Sequence, residues 1–345
     1  MNYRDVHVHM RLFELDKAQI LLDTLADIGV TDTALQALPY RSPVENLSVL
    51  YQKLTYRRMN IKAFGGLQRY NPFENEPYEA QVKRLLELGC DGVKLIDMCP
   101  SVRRNVGYGI DDPRYDAMFT LCEDADVPVL IHSADPEEFW DSASERAKTE
   151  DFLDESYPAK QQFYDETLRM LDKHPRLRVV LAHFFFLSND IAEAARVLDN
   201  YPNVCFDLTP GWEMFLGFSK NIEAWREFFV KYADRILYGT DSNSVKNFNA
   251  QIHELVRTAL THDHSEFIMP CYRKLPVRGL ALDAVTVEKI CSTNYLRFIR
   301  RETPVSAARL REEAASMLTV LAGDEKYARE TGWLRDIMKR MEDLT

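Results

Sequence analysis

Eight short segments rich in apolar residues recur along this 345-residue chain, and longer segments with helical periodicity lie between them. The apolar segments predict strands at residues 3–9, 32–38, 61–67, 92–97, 127–132, 178–183, 204–208 and 236–241. Strands that alternate with helices favour a parallel sheet, and eight of them suit a closed barrel. The predicted fold is therefore an α/β TIM (β/α)8 barrel.

The chain is longer than the roughly 250 residues that such a barrel needs. We assign residues 1–302 to the barrel and residues 303–345 to a C-terminal helical extension, with helical patterning at 307–321 and 327–341. The extension is expected to pack on the barrel or on a partner subunit. The charged stretch 133–160 follows the fifth strand, where barrel loops build active sites, so it is a candidate lid or substrate wall.

The charge balance argues against one class of partner. The formal net charge is −11, from 43 Lys and Arg against 54 Asp and Glu, so the surface as a whole repels phosphate backbones and nucleic-acid binding is not expected. The first residues do not resemble a signal peptide, and no later stretch of about 18 apolar residues could span a bilayer. We expect a cytoplasmic protein that acts on a small molecule without a membrane partner; assembly as a homo-oligomer stays open.

The six cysteines show no Cys-x-x-Cys pair and no close spacing with histidine; they are residues 90, 99, 122, 205, 271 and 291. This pattern favours free thiols, buried or partly buried, over a disulfide framework or a cysteine-ligated zinc site.

Histidine and aspartate recur where predicted strands end. His7 and His9 lie two apart on the first strand, so both rings point to one face. His132 ends the fifth strand, His183 ends the sixth and Asp241 ends the eighth. The carboxyl ends of barrel strands meet at the face where TIM-barrel catalysis occurs, so we expect these five side chains to converge. Half of the chain's eight histidines occupy these positions.

This order of residues resembles the amidohydrolase superfamily. The finer motifs resemble its second large family (amidohydrolase-2), which contains aminocarboxymuconate semialdehyde decarboxylase and related decarboxylases, lactonases and hydrolases. These motifs are Leu-Ile-His-Ser-Ala-Asp-Pro at 130–136, Val-Leu-Ala-His at 180–183 and Tyr-Gly-Thr-Asp-Ser at 238–242. The resemblance covers about residues 1–300 and is specific to fold and site, not to reaction.

The resemblance implies that one divalent metal ion, zinc ahead of manganese, is bound by His7, His9, His132 and Asp241. Imidazole and carboxylate ligands suit either metal, and a catalytic site keeps one position open for water or substrate. The pKa of the bound water would fall towards about 7. Asp241 could then accept a proton from the water, and His183 could polarise a substrate carbonyl or act as acid and base.

Lys94 complicates the number of metals. It lies on the fourth strand between apolar residues, so its ammonium is expected to point into the barrel. In binuclear members of the superfamily a carboxylated lysine on this strand bridges two metals, and the histidines of strands five and six bind the second. We rank a single metal ahead of this arrangement. A further alternative is an unmodified Lys94 that pairs with Asp97 or contacts a substrate anion.

Three other residues are candidate substrate contacts. Arg103 and Arg104 follow the fourth strand and could clamp a carboxylate, although paired loop arginines are often only solvated surface. Trp212 follows the seventh strand and could form an apolar wall or simply pack within its loop.

Three functions compete at this point. The first is hydrolysis of a small-molecule ester, lactone or amide by metal-activated water. The second is non-oxidative decarboxylation of a small aromatic or unsaturated carboxylic acid, which uses the same ligands. A non-catalytic barrel scaffold ranks below both, because all five positions carry residues that are competent for chemistry. Some lactonases of the family work without metal, which leaves a metal-free mechanism open.

Overall fold

Eight parallel strands follow one another in chain order around a single sheet. The computed structural model describes residues 1–10, 15–69, 75–145, 154, 156–243 and 246–342, apart from the side chains of residues 15, 16, 212 and 246–248. The strands are β1 Tyr3–His9, β2 Val30–Gln36, β3 Asn60–Gly66, β4 Gly92–Met98, β5 Val129–Ser133, β6 Val179–Leu181, β7 Val204–Asp207 and β8 Ile236–Leu237. The Val6 N–H donates to the Tyr238 carbonyl at 2.9 Å, and the Asp241 N–H donates to the His7 carbonyl at 2.9 Å, so the first and last strands meet. The TIM-barrel prediction is confirmed.

Helices follow the strands and form the outer layer. They are α1 Leu15–Asp27, α2 Glu45–Thr55, α3 Tyr78–Leu88, α4 Pro100–Val106, α5 Asp116–Asp124, α6 Lys160–Lys173, α7 Ile191–Asn200, α8 Trp212–Ser219, α9 Ile222–Lys231, α10 Lys246–Thr261, α11 Ala284–Glu288, α12 Asn294–Phe298, α13 Ala307–Leu321 and α14 Ala328–Glu342. An antiparallel pair, β9 Glu266–Ile268 and β10 Pro276–Arg278, lies between α10 and α11. Among the described residues, no helix combines the length and the apolar character needed to cross a membrane.

Local sequence explains where some of these helices begin. The Asp190 carboxylate accepts a hydrogen bond from the Glu193 N–H and caps α7, and the Ser306 hydroxyl caps α13 through the Arg309 N–H. Such side chains satisfy backbone donors that the first turn leaves without an intrahelical partner. Single polar residues therefore determine where α7 and α13 begin.

Five strands end earlier than predicted, and two of them, β6 and β8, have a predicted site residue beyond their end. The sixth and eighth strands were expected to reach residues 183 and 241, whereas β6 ends at Leu181 and β8 at Leu237. His183 has a φ of 56° and Asp241 a φ of 54°, and such left-handed residues cannot continue an extended strand. Both side chains therefore project from tight turns beyond the strand ends.

The apolar packing shows which face of β1 is inside. Val8 packs in the same buried cluster as Leu21 and Leu22 of α1, so it points outward to the helices. Because side chains alternate along a strand, His7 and His9 point into the barrel.

The C-terminal helices α13 and α14 pack on the first half of the barrel. Their buried side chains share one apolar cluster with side chains of α1 and α2; they include Leu310, Met317, Trp333, Leu334 and Ile337. The extension thus buries the outer surface of helices that follow β1 and β2.

Candidate metal centre

Three ligand atoms meet at the mouth of the barrel. His7 Nε2 lies 3.0 Å from His9 Nε2, and Asp241 Oδ1 lies 3.1 Å from His9 Nε2 and 3.9 Å from His7 Nε2. His7 and His9 are 0% and 4% exposed. Ligand atoms held about 2.0–2.2 Å from a tetrahedral zinc ion lie roughly 3.3 Å from one another. The spacing and the chemistry of this donor set therefore fit one divalent cation.

A buried carboxylate fixes the orientation of His7. Asp207, at the end of β7, places Oδ2 2.8 Å from His7 Nδ1. Its Oδ1 accepts the N–H groups of His183 at 2.8 Å and Thr209 at 3.1 Å. Burial raises the pKa of Asp207, and the neighbouring His183 ring and N–H groups oppose this shift. The His7 proton is best placed on Nδ1, where it donates to Asp207 and leaves the Nε2 lone pair facing the centre.

A second buried carboxylate holds the backbone. Asp5 Oδ1 accepts the N–H of His7 at 3.0 Å and that of Thr240 at 3.2 Å. Burial raises the pKa of Asp5 to about 7, although the hydrogen bond from the Thr240 hydroxyl opposes the shift. Asp5 therefore ties β1 to the turn that carries Asp241.

The electrostatics keep His7 and Asp241 in the states that metal binding needs, and a metal ion would replace the proton that His9 Nε2 shares with Asp241 Oδ1. Burial, together with the charge of Lys94 and the adjacent His9, holds the pKa of His7 well below its usual value, so the ring is neutral. Burial alone would raise the pKa of Asp241, but the hydrogen bond from His9 and the nearby histidines hold it well below its usual range. Neutral imidazole and ionised carboxylate are the ligand forms.

Lys94 lies inside the barrel, as its flanking residues indicate. It is 2% exposed, and its Nζ lies 3.2 Å from His7 Nε2. The ammonium donates towards the His7 lone pair, which agrees with the His7 proton residing on Nδ1.

His183 lies in a left-handed turn after β6. Residues His183 to Phe186 all have φ between 51° and 56°. Its Nδ1 lies 3.2 Å from the Thr209 carbonyl oxygen, which can only accept, so the proton is on Nδ1. Burial, with the nearby His132, lowers the pKa of His183 to about 3. The ring is therefore neutral, and its Nε2 can accept a proton.

The His132 ring is turned away from the group formed by His7, His9 and Asp241, and its place in the four-residue ligand set stays a prediction. Its Nδ1 lies 3.1 Å from His183 Nε2, and its Nε2 faces the Ala134 carbonyl at 2.9 Å and Asp135 Oδ1 at 3.4 Å. The ring is turned this way because the loop after β5 folds back beside it. Burial disfavours the charged ring, but hydrogen bonds with Asp135 and Cys99 raise the pKa of His132 to about 10.

A cavity of about 420 Å³ opens above these side chains. His9, His132, His183 and Asp241 line it, together with aromatic, apolar and further polar residues. Histidines from β1, β5 and the turn after β6 therefore face one space, as the positions of the strand ends predict.

Two of the predicted substrate contacts lie elsewhere. Arg103 is buried in α4 and pairs through two hydrogen bonds with Glu166, at 3.1 and 2.9 Å, so it does not line the cavity. Arg104 is exposed, with its guanidinium 4.5 Å from the centre of the Tyr157 ring. Trp212 is the first residue of α8, and its side chain lies outside the described part of the structure.

Among the cavity residues that the sequence did not single out, two carry charge or a shifted pKa that bears on function. Arg41, in the loop after β2, lines the cavity with its Nε 2.5 Å from the Tyr40 hydroxyl. Glu213 also lines it, and burial raises the pKa of this carboxyl to about 7. Arg41 follows a strand end, which was the available signal; Glu213 sits beside Trp212 in a segment where no pattern separates it from its neighbours.

Comparison with known proteins agrees with this architecture. The family model described as amidohydrolase (Amidohydro_2) matches residues 55–301. A search of curated proteins finds no matching sequence. An uncharacterised TIM-barrel protein of Bordetella bronchiseptica is similar in structure, with a TM-score of 0.55, 17% identity and coverage of 87% of this chain and 99% of that one.

Two solved enzymes are also similar in fold. The 2,6-dihydroxybenzoate decarboxylase from Rhizobium has a TM-score of 0.52 and 17% identity, and the match covers 87% of this chain and 99% of that one. The 4-oxalomesaconate hydratase of Rhodopseudomonas palustris has a TM-score of 0.53 and 11% identity, with coverage of 92% and 99%. At these identities the likeness is one of fold. With most of its length matched by the family model and its barrel shared with these proteins, the chain belongs to the amidohydrolase family.

Proposed function

We propose that this protein is a metal-dependent hydrolase that cleaves a small-molecule ester, lactone or amide. The observation that carries the proposal is the convergence of His7 Nε2, His9 Nε2 and Asp241 Oδ1 within 4.8 Å of one another at the cavity. His183 stands beside them on the cavity wall. A divalent ion, zinc ahead of manganese, would be held by His7, His9 and Asp241, and it supplies Lewis-acid activation of water and of a substrate carbonyl.

In this proposal, residues of the chain carry out the proton transfers of the reaction. Asp241, kept ionised by its histidine neighbours, accepts the proton that an attacking water releases. His183 is neutral, and its Nε2, which lies 3.1 Å from His132 Nδ1, would take that proton from Asp241 and pass it to the leaving group. Asp207 holds both His7 and the backbone of His183 in place, so one carboxylate positions groups on both sides of the substrate.

Charged residues on the cavity wall suggest the substrate class. Arg41 presents a guanidinium to the cavity, which suits a carboxylate on the substrate. Lys94 adds a buried positive charge beside His7. The proposed substrate is therefore a small anion with a hydrolysable carbonyl group.

The test uses protein stripped by a chelator and reloaded with zinc or manganese. Lactones, esters and amides that carry a carboxylate are screened in water enriched in ¹⁸O. We expect turnover only after reloading, with one ¹⁸O atom in the product. The variants H9A and D241N should lose metal and turnover but keep the circular dichroism of the parent. The matched control H262A changes a partly exposed histidine outside the cavity and should keep both. Turnover by fully stripped protein, or parental rates in H9A or D241N, would refute the proposal.

Non-oxidative decarboxylation is a second candidate, and one observation favours it. Glu213 faces the cavity, and its carboxyl, with a pKa raised to about 7 by burial, keeps a proton near neutral pH. Decarboxylation must deliver a proton to carbon, and Arg41 would bind the acid that is lost. Carbon dioxide release from an aromatic or unsaturated acid, without ¹⁸O in the organic product, would support this reaction over hydrolysis.

A further inference from the structure

Another cavity of about 420 Å³ lies on the outer side of the barrel, between α1, α2 and the C-terminal helix α14, and we call it the outer cavity. Among the described residues, three guanidinium groups and no carboxylate line it; the lining residues are Gln19, Tyr51, Gln52, Thr55, Tyr56, Arg57, Arg58 and Arg340. The chain as a whole has a formal net charge of −11, so this wall departs in sign from the rest of the molecule. A cavity lined by one sign of charge concentrates ions of the opposite sign, so the ligand is expected to be an anion.

The carboxylates near the outer cavity already have partners. Asp23 accepts hydrogen bonds from Gln19 at 3.0 Å and from the Tyr56 hydroxyl at 2.9 Å. Arg58 donates to Asp23 at 2.8 Å and to Asp27 at 2.7 Å. These contacts fix Tyr56 and Arg58 in the wall and balance the charge of Arg58. An anion in the cavity would therefore depend chiefly on the other two arginines.

Arg57 and Arg340 keep donors for a ligand. Arg57 follows α2, is exposed, and forms no ion pair or side-chain hydrogen bond within the part of the chain that the structure describes. Arg340 pairs with Asp336 through Nε at 3.2 Å, which leaves its terminal nitrogens on the side of the cavity. Burial raises the pKa of Tyr51, and Arg340 beside its hydroxyl opposes the shift. A guanidinium has five N–H donors, so each arginine can still bind an oxyanion.

A buried amide on the same wall lacks an acceptor. Gln52 is 4% exposed and lines the outer cavity. Its side-chain amide forms no hydrogen bond with any other described residue. A buried polar group without a partner is unfavourable, and an oxyanion in the cavity would accept a hydrogen bond from this NH₂ group. Gln52 therefore adds a third donor to those of Arg57 and Arg340.

The size and charge of the outer cavity suggest the class of anion. Guanidinium groups bind phosphate through paired hydrogen bonds, and a phosphate monoester carries about two negative charges near neutral pH, enough to match two arginines. The volume falls in the range of small-molecule sites, and the rings of Tyr51 and Tyr56 form part of the wall. We propose that the outer cavity binds a small organic phosphate, with its phosphate group held by Arg57, Arg340 and Gln52.

The position of this site has a structural consequence. Gln52 lies on α2 and Arg340 on α14, so a bound phosphate would connect the C-terminal extension to the helical layer of the barrel. A ligand that binds only the folded chain raises its melting temperature. The inference goes beyond the proposed function, because the site lies outside the barrel and holds whichever reaction the metal centre performs.

The test titrates the full chain with phenyl phosphate and with benzoate by calorimetry, and follows thermal melting with each. We expect saturable binding of phenyl phosphate that raises the melting temperature, and benzoate bound at least about 10-fold more weakly, because it offers one charge to the two arginines. The variants R57A, R340A and Q52L should each weaken phenyl phosphate binding by at least about 10-fold. Circular dichroism of every variant checks folding.

Two matched variants separate this site from other arginines. R41A changes the arginine of the catalytic cavity, and R104A changes an exposed arginine elsewhere; both should bind phenyl phosphate at the outer cavity as the parent does. Loss of this binding in R41A, with parental affinity in R57A and R340A, would place the anion in the catalytic cavity and overturn the proposal.

Three further results would also overturn it. One is the absence of saturable binding to the parent at millimolar phenyl phosphate. Another is benzoate affinity equal to that of phenyl phosphate, which would contradict a site for phosphate. The third is sedimentation with vesicles that contain phosphatidate when free phenyl phosphate does not bind, which would identify a lipid surface as the ligand in place of a small molecule.

Discussion

Replacing Asp207 by asparagine should weaken metal binding at His7, His9 and Asp241 without unfolding the barrel. The two oxygens of Asp207 have separate contacts: Oδ1 accepts two backbone N–H groups, and Oδ2 accepts the His7 Nδ1 proton. An asparagine can keep its oxygen at the first position. Its NH₂ group then faces His7 Nδ1, and two donors cannot bond to each other.

The consequence for His7 is a change of tautomer. The ring must move its proton from Nδ1 to Nε2 to accept from the amide, and a protonated Nε2 cannot bind a metal. Loss of such a partner behind a ligand histidine typically costs 10–100-fold in metal affinity, about 1.4–2.7 kcal/mol. Because two of the three hydrogen bonds survive, the metal-free protein should melt close to the parent.

The assay is competition for zinc against a chromophoric chelator, with thermal melts of metal-free protein. D5N is the matched control, since Asp5 bonds to the backbone N–H of His7 and to Thr240 but not to an imidazole. Its zinc Kd should stay close to that of the parent. Parental zinc affinity in D207N, or an equal loss in D5N, would refute the reasoning.

Replacing His183 by alanine should lower kcat by about 10²–10⁴-fold and leave the metal content unchanged, because the ring exchanges protons beside the metal ligands. Steady-state kinetics and elemental analysis measure the two quantities, and a kcat equal to that of the parent would contradict this role. Burial lowers the pKa of His253 to about 4, so the folded protein favours the neutral ring. The stability that this neutral ring contributes is complete above the unfolded pKa of about 6.5 and is lost as the pH falls towards 4. The free energy of unfolding, measured in urea, should fall by up to about 3 kcal/mol between about pH 6.5 and pH 4, and H253Q should lack this pH dependence. R103A should lower the free energy of unfolding by about 3–5 kcal/mol, because it leaves the buried Glu166 carboxylate without its arginine partner. R104A should change the free energy of unfolding by less than about 0.5 kcal/mol, and equal effects of the two variants would contradict a structural role for Arg103.

Periodic features of the chain were readable in advance. The strand β1 and helix α13 have the predicted bounds, because alternation and helical spacing both reflect one buried face. The convergence of His7, His9, His183 and Asp241 followed from strand order, since strand ends meet at one face of a barrel.

Other features depended on side-chain direction. Asp207 lies at the end of β7, as the predicted ligands lie at the ends of their strands. No sequence pattern indicates that its carboxylate bonds to His7, which lies 200 positions earlier in the chain. Cys99 was expected to be an ordinary free thiol because no second cysteine lies near it in sequence; its neighbours His132 and Asp135 come from the next strand. Sequence reasoning located the strand ends, and only coordinates could show how the rings and thiol are turned.

The left-handed turn at His183 connects the position of the imidazole to a cluster of aromatic side chains that do not line the cavity. Backbone of this hand costs an ordinary residue roughly 1–2 kcal/mol, and four successive residues adopt it here. Phe184, within that turn, is surrounded by aromatic rings whose centres lie 5.0–5.8 Å from its own; these are Phe206, Phe218, Trp225, Phe228 and Phe229. Such ring pairs contribute about 0.5–1.5 kcal/mol each, enough together to offset the unfavourable backbone. A substitution that changes the size of one ring in this aromatic cluster would change the direction of the His183 imidazole. Selection on catalysis therefore extends to residues that do not contact a substrate.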